Sequence, residues 1–451
     1  MADQDTPTLV DNSMLEHLRM LIAHPSVLGD DSELDTTATA IADLLRQCGL
    51  HVSVHPSEGA PIIIAHRAGR TKRHILFYNH YDVMPPGPWR DWHHEPFVMA
   101  EREGRLYGRG VASDKGNLIA RLAAVKAILD RDGELPVGVT FLIEGDALQG
   151  SPYLPNLIAD QAHKLQGDVI FGFGGMLDGQ NVPYLYAGVR GRLLVMLRAT
   201  GPNISLSADM STSVVNPAWR LLWALNEIKN DTEEVLIEGF YDIVAAPSRE
   251  ASKLTRGLQI DEAGRLKAWG MKEFLFGMSG ATLARAETFN PNCNLGSITV
   301  TTGVGPHPTI PIAAEAIIDF SLVPEQRPNE VVRLLREHLL ANNFDDINVE
   351  SIKGAYPPAT TPLNSFALEL VASQVESAYG ITPQVVPLAP FAVPLHLFTA
   401  GMNVPALPLG LLQPDSALRG ANESVPLANL QAMAALIHNV LAAFATFDNI
   451  P

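Results

Sequence analysis

Cysteine is scarce in this sequence, which contains only Cys48 and Cys293 among 451 residues. Two cysteines so far apart in sequence argue against a disulfide framework and fit a reducing compartment. A chain of this length is expected to form two or three domains rather than one. Apolar residues make up 47% of the sequence, which is enough to build a sizeable core for each domain.

Basic charge and long apolar runs are also lacking. The chain has 32 Lys and Arg against 49 Asp and Glu, a net charge of −17. This balance disfavours nucleic acids and anionic membranes as partners. No uncharged apolar run reaches the roughly 18 residues that a transmembrane helix needs, and the acidic start is unlike a signal peptide. We therefore expect a cytoplasmic protein.

The order of predicted elements indicates an α/β fold. Apolar or alternating segments such as HVSVHP, PIIIAHRA, HILFYNHYDV and GVTFLIEGD are interspersed with helical patterns. Strands alternating with helices predict a mostly parallel sheet. The pattern changes near Leu194, where strands and helices of a smaller α+β domain begin. We expect a discontinuous α/β domain of residues 1–193 and 359–451, with the α+β domain of residues 194–358 inserted into it.

One stretch, residues 74–129, concentrates chemically active side chains. It places His80 and Asp82 at the end of a predicted strand and Asp114 at the start of a predicted helix. Residues i and i+2 of a strand point the same way, so Asp82 can orient His80. Histidine and carboxylates at such positions are typical of a metal site. Each also has a simpler interpretation, because strand histidines are more often only hydrogen-bonded and Asp114 is a good N-cap.

The same stretch carries a resemblance that covers nearly the whole chain. The chain resembles the aminoacylase, carnosinase and cytosolic dipeptidase family of two-zinc peptidases in the segments HYDVMPPGPWRDWHHEPF, LYGRGVASDKGN, FLIEGDALQGS, NPAWRLLWAL, IEGFYD and AAEAIIDFSLVPEQRP. The resemblance implies a catalytic α/β domain that holds two metals. It also implies that the inserted domain is a lid that dimerises and supplies substrate contacts.

The family's chemistry implies roles for three residues of this stretch. Two divalent ions about 3.5–4 Å apart activate a bridging water, and a carboxylate base takes the proton of that water. By the resemblance, His80 is the first histidine ligand and Asp82 orients it. Asp114 matches the bridging aspartate.

Three further positions of the family's centre hold residues that neither bind a metal nor move a proton. The family's glutamate-rich motif falls on residues 144–151, which places Ala147 at the general base and Leu148 at the metal-binding glutamate. The second metal-binding aspartate falls on Gly174. The resemblance therefore implies that most of the two-zinc centre has been lost.

The last ligand position also departs from the family. The final histidine falls on Arg419, ahead of the matching pair Asn422 and Glu423. A guanidinium about 5 Å from a divalent ion would be repelled by roughly 7 kcal/mol at an effective dielectric of about 20. Unless Arg419 points away, this repulsion would oppose metal binding.

The positions that contact substrate in the family are changed as well. The lid histidine falls on Leu206, and the substrate-binding arginine falls on Ser321. A glycine-rich loop that receives the substrate carboxylate falls on Phe391 and its neighbours. Arginine and glycine-rich loops are natural carboxylate receptors, so their absence predicts a rebuilt and more apolar pocket.

The first hypothesis is a family member without two-zinc hydrolysis that binds a small peptide-like or N-acyl-amino-acid-like ligand. A histidine–aspartate pair with a nearby lysine is suited to acid–base work without a metal. The residues expected around the pocket are Lys115, Glu144, Asp146, Leu206, Ser321, Phe391, Arg419, Asn422 and Glu423.

The second hypothesis is an active amidohydrolase with relocated ligands, the one case in which a zinc cofactor is expected. The candidate ligands are His80, Asp114, Asp146, Asp178, His396 and Glu423. Three further histidines, His93, His94 and His307, are predicted to lie at the surface.

The third hypothesis is a regulatory subunit that pairs through its lid with an active relative. The family's dimers make a homodimer or such a heterodimer the expected assembly. A stable homodimer with a closed, ligand-filled pocket would count against the regulatory role.

Overall fold

The structure is a computed structural model that describes residues 8–162, 164–165, 167–303 and 308–447. The α-helices in chain order are α1 (Asn12–Ala23), α2 (Asp31–Gln47), α3 (Lys115–Asp132), α4 (Leu154–Gln161), α5 (Pro217–Ile228), α6 (Arg249–Gly257), α7 (Glu262–Trp269), α8 (Gly280–Phe289), α9 (Pro328–Ala341), α10 (Phe366–Tyr379), α11 (His396–Thr399) and α12 (Leu427–Phe444). The strands in chain order are β1 (His51–His55), β2 (Ile62–Arg67), β3 (His74–His80), β4 (Ala100–Arg102), β5 (Arg105–Tyr107), β6 (Gly138–Glu144), β7 (Val169–Gly172), β8 (Leu185–Tyr186), β9 (Gly188–Val189), β10 (Gly191–Thr200), β11 (Leu206–Ser207), β12 (Asn292–Thr301), β13 (Thr309–Ile310), β14 (Ala313–Leu322), β15 (Asn348–Ser351), β16 (Ala359–Thr360), β17 (Val385–Val386), β18 (Ala406–Pro408) and β19 (Ser424–Pro426).

The larger sheet has the strand order β1-β2-β6-β3-β7-β18. Strands β6, β3, β7 and β18 are parallel, and β1 and β2 are antiparallel at one edge. Parallel strands place their carboxyl ends at the same edge, so His80 at the end of β3 lies beside Glu144 at the end of β6. The predicted α/β fold with a mostly parallel sheet is confirmed, and this edge is where such sheets bind ligands.

Burial on both faces explains why the central strands read as continuous apolar runs. Every residue of β6 is buried. Phe77 and Phe141 enter a core to which α1, α2, α3, α10 and α12 also contribute. On the other face, the ring of Tyr78 lies 5.0 Å from that of Phe173 and 5.3 Å from that of Phe398.

Helix α12 is apolar along most of its length. Among the described residues it is the one helix long and apolar enough to cross a membrane, and half of it is buried inside the structure. Leu430, Ile437, Leu441 and Phe444 belong to the same core as the central strands. A core helix of a folded domain satisfies the same length and composition, so this observation is weak evidence for a membrane span.

By its backbone contacts the chain divides into two compact units, which we call unit 1 and unit 2. Unit 1 comprises residues 1–189, 248–288 and 360–451, and unit 2 comprises residues 190–247 and 289–359. Unit 2 is an antiparallel sheet of order β12-β14-β10-β15 that packs with α5 and α9. Buried residues alternate with less buried ones along β10 and β14, as expected for a sheet with one covered face.

The boundaries expected for the inserted domain, residues 194–358, differ from those of unit 2. Residues 248–288, with helices α6, α7 and α8, belong to unit 1 instead. This segment is tied to unit 1 by side chains far away in sequence: Tyr184 Oη donates to Gln259 O at 3.2 Å, and Gln259 N donates to Gln384 Oε1 at 2.6 Å. Its short helices follow one another with few strands between them, so periodicity alone did not reveal where they pack.

Candidate functional site

His80 is fully buried at the carboxyl end of β3 and has partners at both ring nitrogens. Nδ1 lies 3.0 Å from both Oδ1 and the backbone oxygen of Asp82, and Nε2 lies 3.2 Å from Ser113 Oγ. The ring of Phe173 meets the imidazole edge-on at 4.6 Å. Because both Asp82 atoms are acceptors, Nδ1 carries a proton, and Nε2 is the nitrogen that faces Ser113.

Asp82 is itself fixed in place. Its side chain is fully buried, and Oδ2 accepts a hydrogen bond of 2.8 Å from the backbone N–H of Leu148. Burial lowers the pKa of His80, but the hydrogen bond and charge of Asp82, with Asp114 and Glu144 nearby, raise it to about 9. The geometry matches the orienting role expected for Asp82.

Asp114 has surroundings different from those that the sequence analysis expected. Its Oδ2 accepts a hydrogen bond from Asn79 Nδ2, and its Oδ1 accepts one of 2.6 Å from Asn117 Nδ2. It occupies the N-cap position of α3, yet its side chain accepts no hydrogen bond from the backbone of that helix. Burial raises the pKa of Asp114, and the charges of His80 and Arg121 oppose that rise.

These contacts correct the helix-capping interpretation of Asp114. It is not a side-chain cap, and its carboxylate is engaged by two amide side chains rather than directed at Nε2 of His80. The side chain opposite Nε2 belongs to the preceding residue, Ser113. Ser113 is partly exposed, while Asp114 is fully buried.

Ala147 and Leu148 form part of a short 3-10 turn, Ala147–Gln149, after β6. Their side chains are a methyl and an isobutyl group, so neither binds a metal or holds a proton. The backbone of the turn nevertheless contributes to the site, because the N–H of Leu148 donates to Asp82. At Leu148, where the resemblance implies a metal ligand, the backbone N–H thus holds the carboxylate of Asp82 instead.

Gly174 follows β7 in a backbone conformation that disfavours residues with a side chain. Its φ is +83°, in the left-handed region. A Cβ built there would lie 3.0 Å from Phe391 Cε2 and 3.3 Å from Val393 Cγ2. The aromatic ring of Phe391 would therefore have to shift to admit even the Cβ of an aspartate at position 174.

Glu423 is buried and its carboxylate is fully engaged. Oε2 accepts from Arg109 Nη1 at 2.9 Å and from the N–H of Gly110 at 3.1 Å. Oε1 accepts from the N–H groups of Ala112 at 2.9 Å and Ser113 at 3.2 Å. The residue therefore holds the loop that carries Ser113 and Asp114 and has no free oxygen to offer a metal.

Its neighbours in the same segment also have structural roles or face solvent. Asn422 Oδ1 accepts from the N–H of His93 at 2.8 Å, and Asn422 Nδ2 donates to Asp91 O at 3.1 Å. Arg419 is exposed, with a left-handed φ of +68°. The repulsion expected between Arg419 and a metal applies only if the guanidinium lies close to the ion, and in the structure this residue is exposed to solvent.

Two further acids near the site have raised pKa values because they are buried. Glu144 Oε1 accepts hydrogen bonds from the hydroxyl groups of Tyr78 and Ser151, and burial raises the pKa of Glu144 to about 8. Asp146 Oδ2 accepts from the N–H of Ala60 at 2.8 Å, and burial raises the pKa of Asp146 to about 6. Both carboxyl groups are held by neighbouring polar groups of the scaffold.

Lys115, which was expected at the pocket, has its amine held by backbone oxygens. Its Nζ donates to the backbone oxygens of Leu21 and His24, each at 2.8 Å. The side chain is fully buried at the end of α1, and this burial lowers its pKa to about 7. Among the described hydrogen bonds, the amine of Lys115 therefore donates to the end of α1 and not to the His80–Asp82 pair.

The other candidate ligands are spread over the chain. Asp178 Oδ1 accepts from the N–H groups of Gln180 and Val182 and closes a turn, while His396 begins α11. His93 is exposed, and His94 packs against Trp92 and Tyr107. His307 lies outside the described residues. Within the described ranges, no three His, Cys, Asp or Glu side chains come together in a way that could hold a metal.

Two expected substrate contacts lie in unit 2. Leu206 is partly buried on β11, which pairs with β13. Ser321 lies on β14 and pairs with Arg192 of β10 and Asn292 of β12. Neither side chain carries a charge that would hold a substrate carboxylate.

Sequence reasoning missed two residues that the structure places at the site. Ser113 was passed over because the adjacent Asp114 matched the family pattern better. Arg121, among the buried residues of α3, donates to the oxygens of Tyr78, Gly172 and Leu409 at 3.0, 2.7 and 3.0 Å and so ties together the ends of three strands. A lone arginine on the buried face of a helix was the available signal, because such a cation needs partners.

Comparison with known proteins places the chain in a family. In sequence comparison, the family model of peptidase family M20/M25/M40 matches residues 76–443 of this chain. The chain belongs to peptidase family M20/M25/M40. Among its relatives, the Beta-Ala-His dipeptidase of Rattus norvegicus is 25% identical over 336 residues, covering 72% of this chain and 68% of that protein. The Cys-Gly metallodipeptidase dug1 of Schizosaccharomyces pombe is 26% identical over 400 residues, covering 85% and 83%.

Solved structures of the M20 family share the fold over nearly the full length. The metallo-carboxypeptidase Sso-CP2 of Sulfolobus solfataricus superposes with a TM-score of 0.90 at 29% identity, covering 96% of this chain and 100% of that one. Human carnosine dipeptidase 1 gives a TM-score of 0.86 at 20% identity, covering 97% of each chain. The family predicted from the sequence motifs is therefore confirmed.

M20 relatives named metallodipeptidase or metallo-carboxypeptidase imply a metal centre, and the residues present here do not fit one. Of the acids at the family's positions, Asp114 is engaged by two amide groups and Glu423 by an arginine and three backbone N–H groups. Ala147, Leu148 and Gly174 offer no donor atom. A zinc ion needs about three or four protein ligands, and His80 is left without partners for such a set.

Proposed function

We propose that this chain is an M20 family protein without the two-metal hydrolytic centre. The observation that carries the proposal is Gly174, whose left-handed backbone and close approach to Phe391 disfavour a ligand side chain at that position. The engagement of Asp114 and Glu423 by protein donors supports the same conclusion. The fold around the site is intact, which favours a retained binding role rather than simple loss of the protein's purpose.

The ligand that we propose is a small peptide-like or N-acyl-amino-acid-like molecule. The relatives named Beta-Ala-His dipeptidase and Cys-Gly metallodipeptidase act, by those names, on dipeptides. In this chain, Phe173 and Phe391 lie beside the positions where the family would place charged groups. Aromatic walls with few polar groups favour a ligand that has an apolar portion.

Metal analysis of the purified protein tests this proposal directly. We expect much less than one zinc per chain. The melting temperature should neither rise when zinc is added nor fall when a chelator is added. A metal that bound the folded chain at 100 times its Kd would add about 2.7 kcal/mol of stability, which a melting experiment detects. The Schizosaccharomyces pombe relative, purified in the same way, serves as the positive control.

The opposite result is equally clear. Stoichiometric zinc together with dipeptide hydrolysis that His80→Ala abolishes would overturn the proposal and favour an active enzyme with relocated ligands. The distribution of candidate ligands over the described chain speaks against that alternative, because no group of three is assembled.

We further propose that two copies of this chain pair through unit 2. On α5, Trp219 and Trp223 are 57% and 55% exposed and stack at 6.2 Å. Strand β12, at one end of its sheet, exposes Leu295, Ile298 and Val300. Exposed apolar side chains and a sheet edge favour a protein–protein interface.

Analytical ultracentrifugation tests the dimer. Trp223→Glu should shift the protein toward monomer, whereas Trp89→Glu, which changes a tryptophan with 57% exposure in unit 1, should leave the mass unchanged. A monomeric wild type that forms a complex only with an active M20 relative would instead support the regulatory-subunit hypothesis.

A further inference from the structure

Three side chains at the carboxyl end of β3 are arranged in series. Asp82 Oδ1 lies 3.0 Å from His80 Nδ1, and His80 Nε2 lies 3.2 Å from Ser113 Oγ. A carboxylate, an imidazole and a hydroxyl in this order are the parts of a nucleophilic serine centre, which is recognised by geometry rather than by sequence position. The family's metal site accounts for His80 and Asp82, and the hydroxyl of Ser113 opposite Nε2 is the feature that it does not supply.

We propose that Ser113 is a nucleophile that His80 activates and Asp82 positions, and that this centre transfers acyl groups from carboxylic esters or activated amides without a metal. The inference rests on the proposed function, since it needs the two-metal centre to be absent. Ser113 and His80 would act as catalytic residues. Asp82 would act through His80 and is a positioning residue.

The reaction balances with water as the only co-reactant. Ser113 Oγ forms a bond to the acyl carbon while its proton passes to the neutral His80 Nε2. The bond from that carbon to the leaving group breaks, and the leaving group takes the proton from Nε2. Water then attacks the acyl–serine ester, gives one proton to Nε2, and releases the acid as Ser113 Oγ takes that proton back.

The surroundings hold this arrangement from three sides. The N–H of Leu148 fixes Asp82 Oδ2 at 2.8 Å, and the ring of Phe173 meets the imidazole at 4.6 Å. Glu423 Oε1 accepts from the N–H of Ser113 at 3.2 Å and so fixes the backbone of the nucleophile. Groups locked by their own partners keep the geometry that nucleophilic catalysis requires.

The solvent exposure of the three residues fits their proposed roles, because the His80–Asp82 pair is buried and the nucleophile is accessible. His80 and Asp82 are 1% and 0% exposed, so their hydrogen bond is shielded from water. Ser113 is partly exposed and therefore within reach of a ligand. The hydroxyl–imidazole distance of 3.2 Å is at the long end of the range of about 2.6–3.2 Å for such pairs, which are often looser without substrate.

An alkyl fluorophosphonate is the probe for this proposal, because it reacts covalently with activated serine hydroxyl groups. The full-length protein is treated at pH 7 and pH 9 in the presence of a chelator, and intact mass and peptide mapping locate the adduct. We expect one phosphonyl group per chain, located on Ser113, at both pH values.

Variants separate activation from simple accessibility. Ser113→Ala should abolish the adduct, and Asp82→Asn should slow its formation at least tenfold while leaving the fold intact by circular dichroism. Ser53→Ala is the matched control, since Ser53 Oγ lies 2.9 Å from His55 Nε2 on β1, and it should label at the wild-type rate. Peptide mapping of the wild type decides the site even if a variant does not fold.

Each contrary outcome points to one conclusion. An unlabelled wild type, or an adduct that persists in Ser113→Ala, would overturn this inference and leave the proposed loss of the metal centre standing. In that case Ser113 only satisfies the buried ring of His80. Stoichiometric metal binding with metal-dependent hydrolysis would overturn the proposed function, and this inference with it.

Discussion

The role of Glu423 gives the sharpest test of how the site is built. Its carboxylate accepts four hydrogen bonds, from Arg109 and from the N–H groups of Gly110, Ala112 and Ser113. In Glu423→Gln one oxygen becomes an NH2 group, which is a donor. Because each carboxylate oxygen accepts two of these bonds, either orientation of the amide loses two bonds and leaves donors facing each other.

The expected loss follows from the burial of the partners. Arg109 is 1% exposed and would lose its only carboxylate partner among those described here. Breaking a buried ion pair from one side costs about 3–5 kcal/mol. Arg109 keeps its hydrogen bond of 2.8 Å to Gly420 O and its position 5.1 Å from the ring of Trp92. We therefore expect the lower end of that range, a loss of about 3 kcal/mol in the free energy of unfolding.

Urea unfolding of Glu423→Gln measures this loss, with Asp415→Asn as the control. Asp415 pairs with Arg105 at 3.3 Å but is 55% exposed, so its substitution should cost less than about 1 kcal/mol. Equal losses in the two variants would refute the structural role of Glu423. So would a zinc-dependent stabilisation that is present in the wild type and absent from Glu423→Gln, because that result would make Glu423 a metal ligand.

Three further variants test other parts of the site by urea unfolding. Gly174→Ala places a Cβ at φ +83° and 3.0 Å from Phe391, and should lower the free energy of unfolding by about 1–3 kcal/mol. Gly133→Ala, at φ +75° with open space around it, should lower it by less. Equal losses in the two variants would mean that Phe391 does not obstruct a side chain at position 174. The pKa of Glu144 is raised to about 8 from 4.5, so the folded state holds its proton more tightly, and stability should fall as pH rises between these values. Glu144→Gln should reduce the slope of the free energy of unfolding against pH by up to about 1.4 kcal/mol per pH unit. If the stability–pH curves of the wild type and the variant were parallel, the pKa of Glu144 would not be raised by burial. Lys115→Met leaves two buried backbone oxygens at the end of α1 without their donor and should lose about 2 kcal/mol, while a loss near zero would show that water replaces the amine.

Local patterns in the sequence were enough to predict the fold class and the family. Alternation of apolar strands with helices is a property of neighbouring residues, so the α/β sheet was predictable from composition and periodicity. The losses at Ala147, Leu148 and Gly174 were visible for the same reason, because the flanking motif residues fix the register. The methyl group of alanine and the hydrogen atom of glycine cannot bind a metal or transfer a proton, whatever the fold.

Positions set by long-range packing were not predictable in this way. Residues 248–288 joined unit 1 because they bond to Tyr184 and Gln384, and no local pattern reports such partners. Glu423 matched a family motif, yet its role depends on Arg109, 314 residues away in sequence. The space beyond Gly174 is filled by Phe391, which comes from a distant loop.

The two adjacent residues Ser113 and Asp114 show the limit most clearly. The sequence established that a polar residue just before α3 would meet the end of β3, because a strand and the following helix are close in any such fold. Which of the two faces His80 depends on the backbone torsions of one turn and on the amides of Asn79 and Asn117, which bind Asp114. Only the tertiary structure decided that Ser113 lies opposite Nε2, and this single-residue difference turns an incomplete metal site into a candidate serine centre.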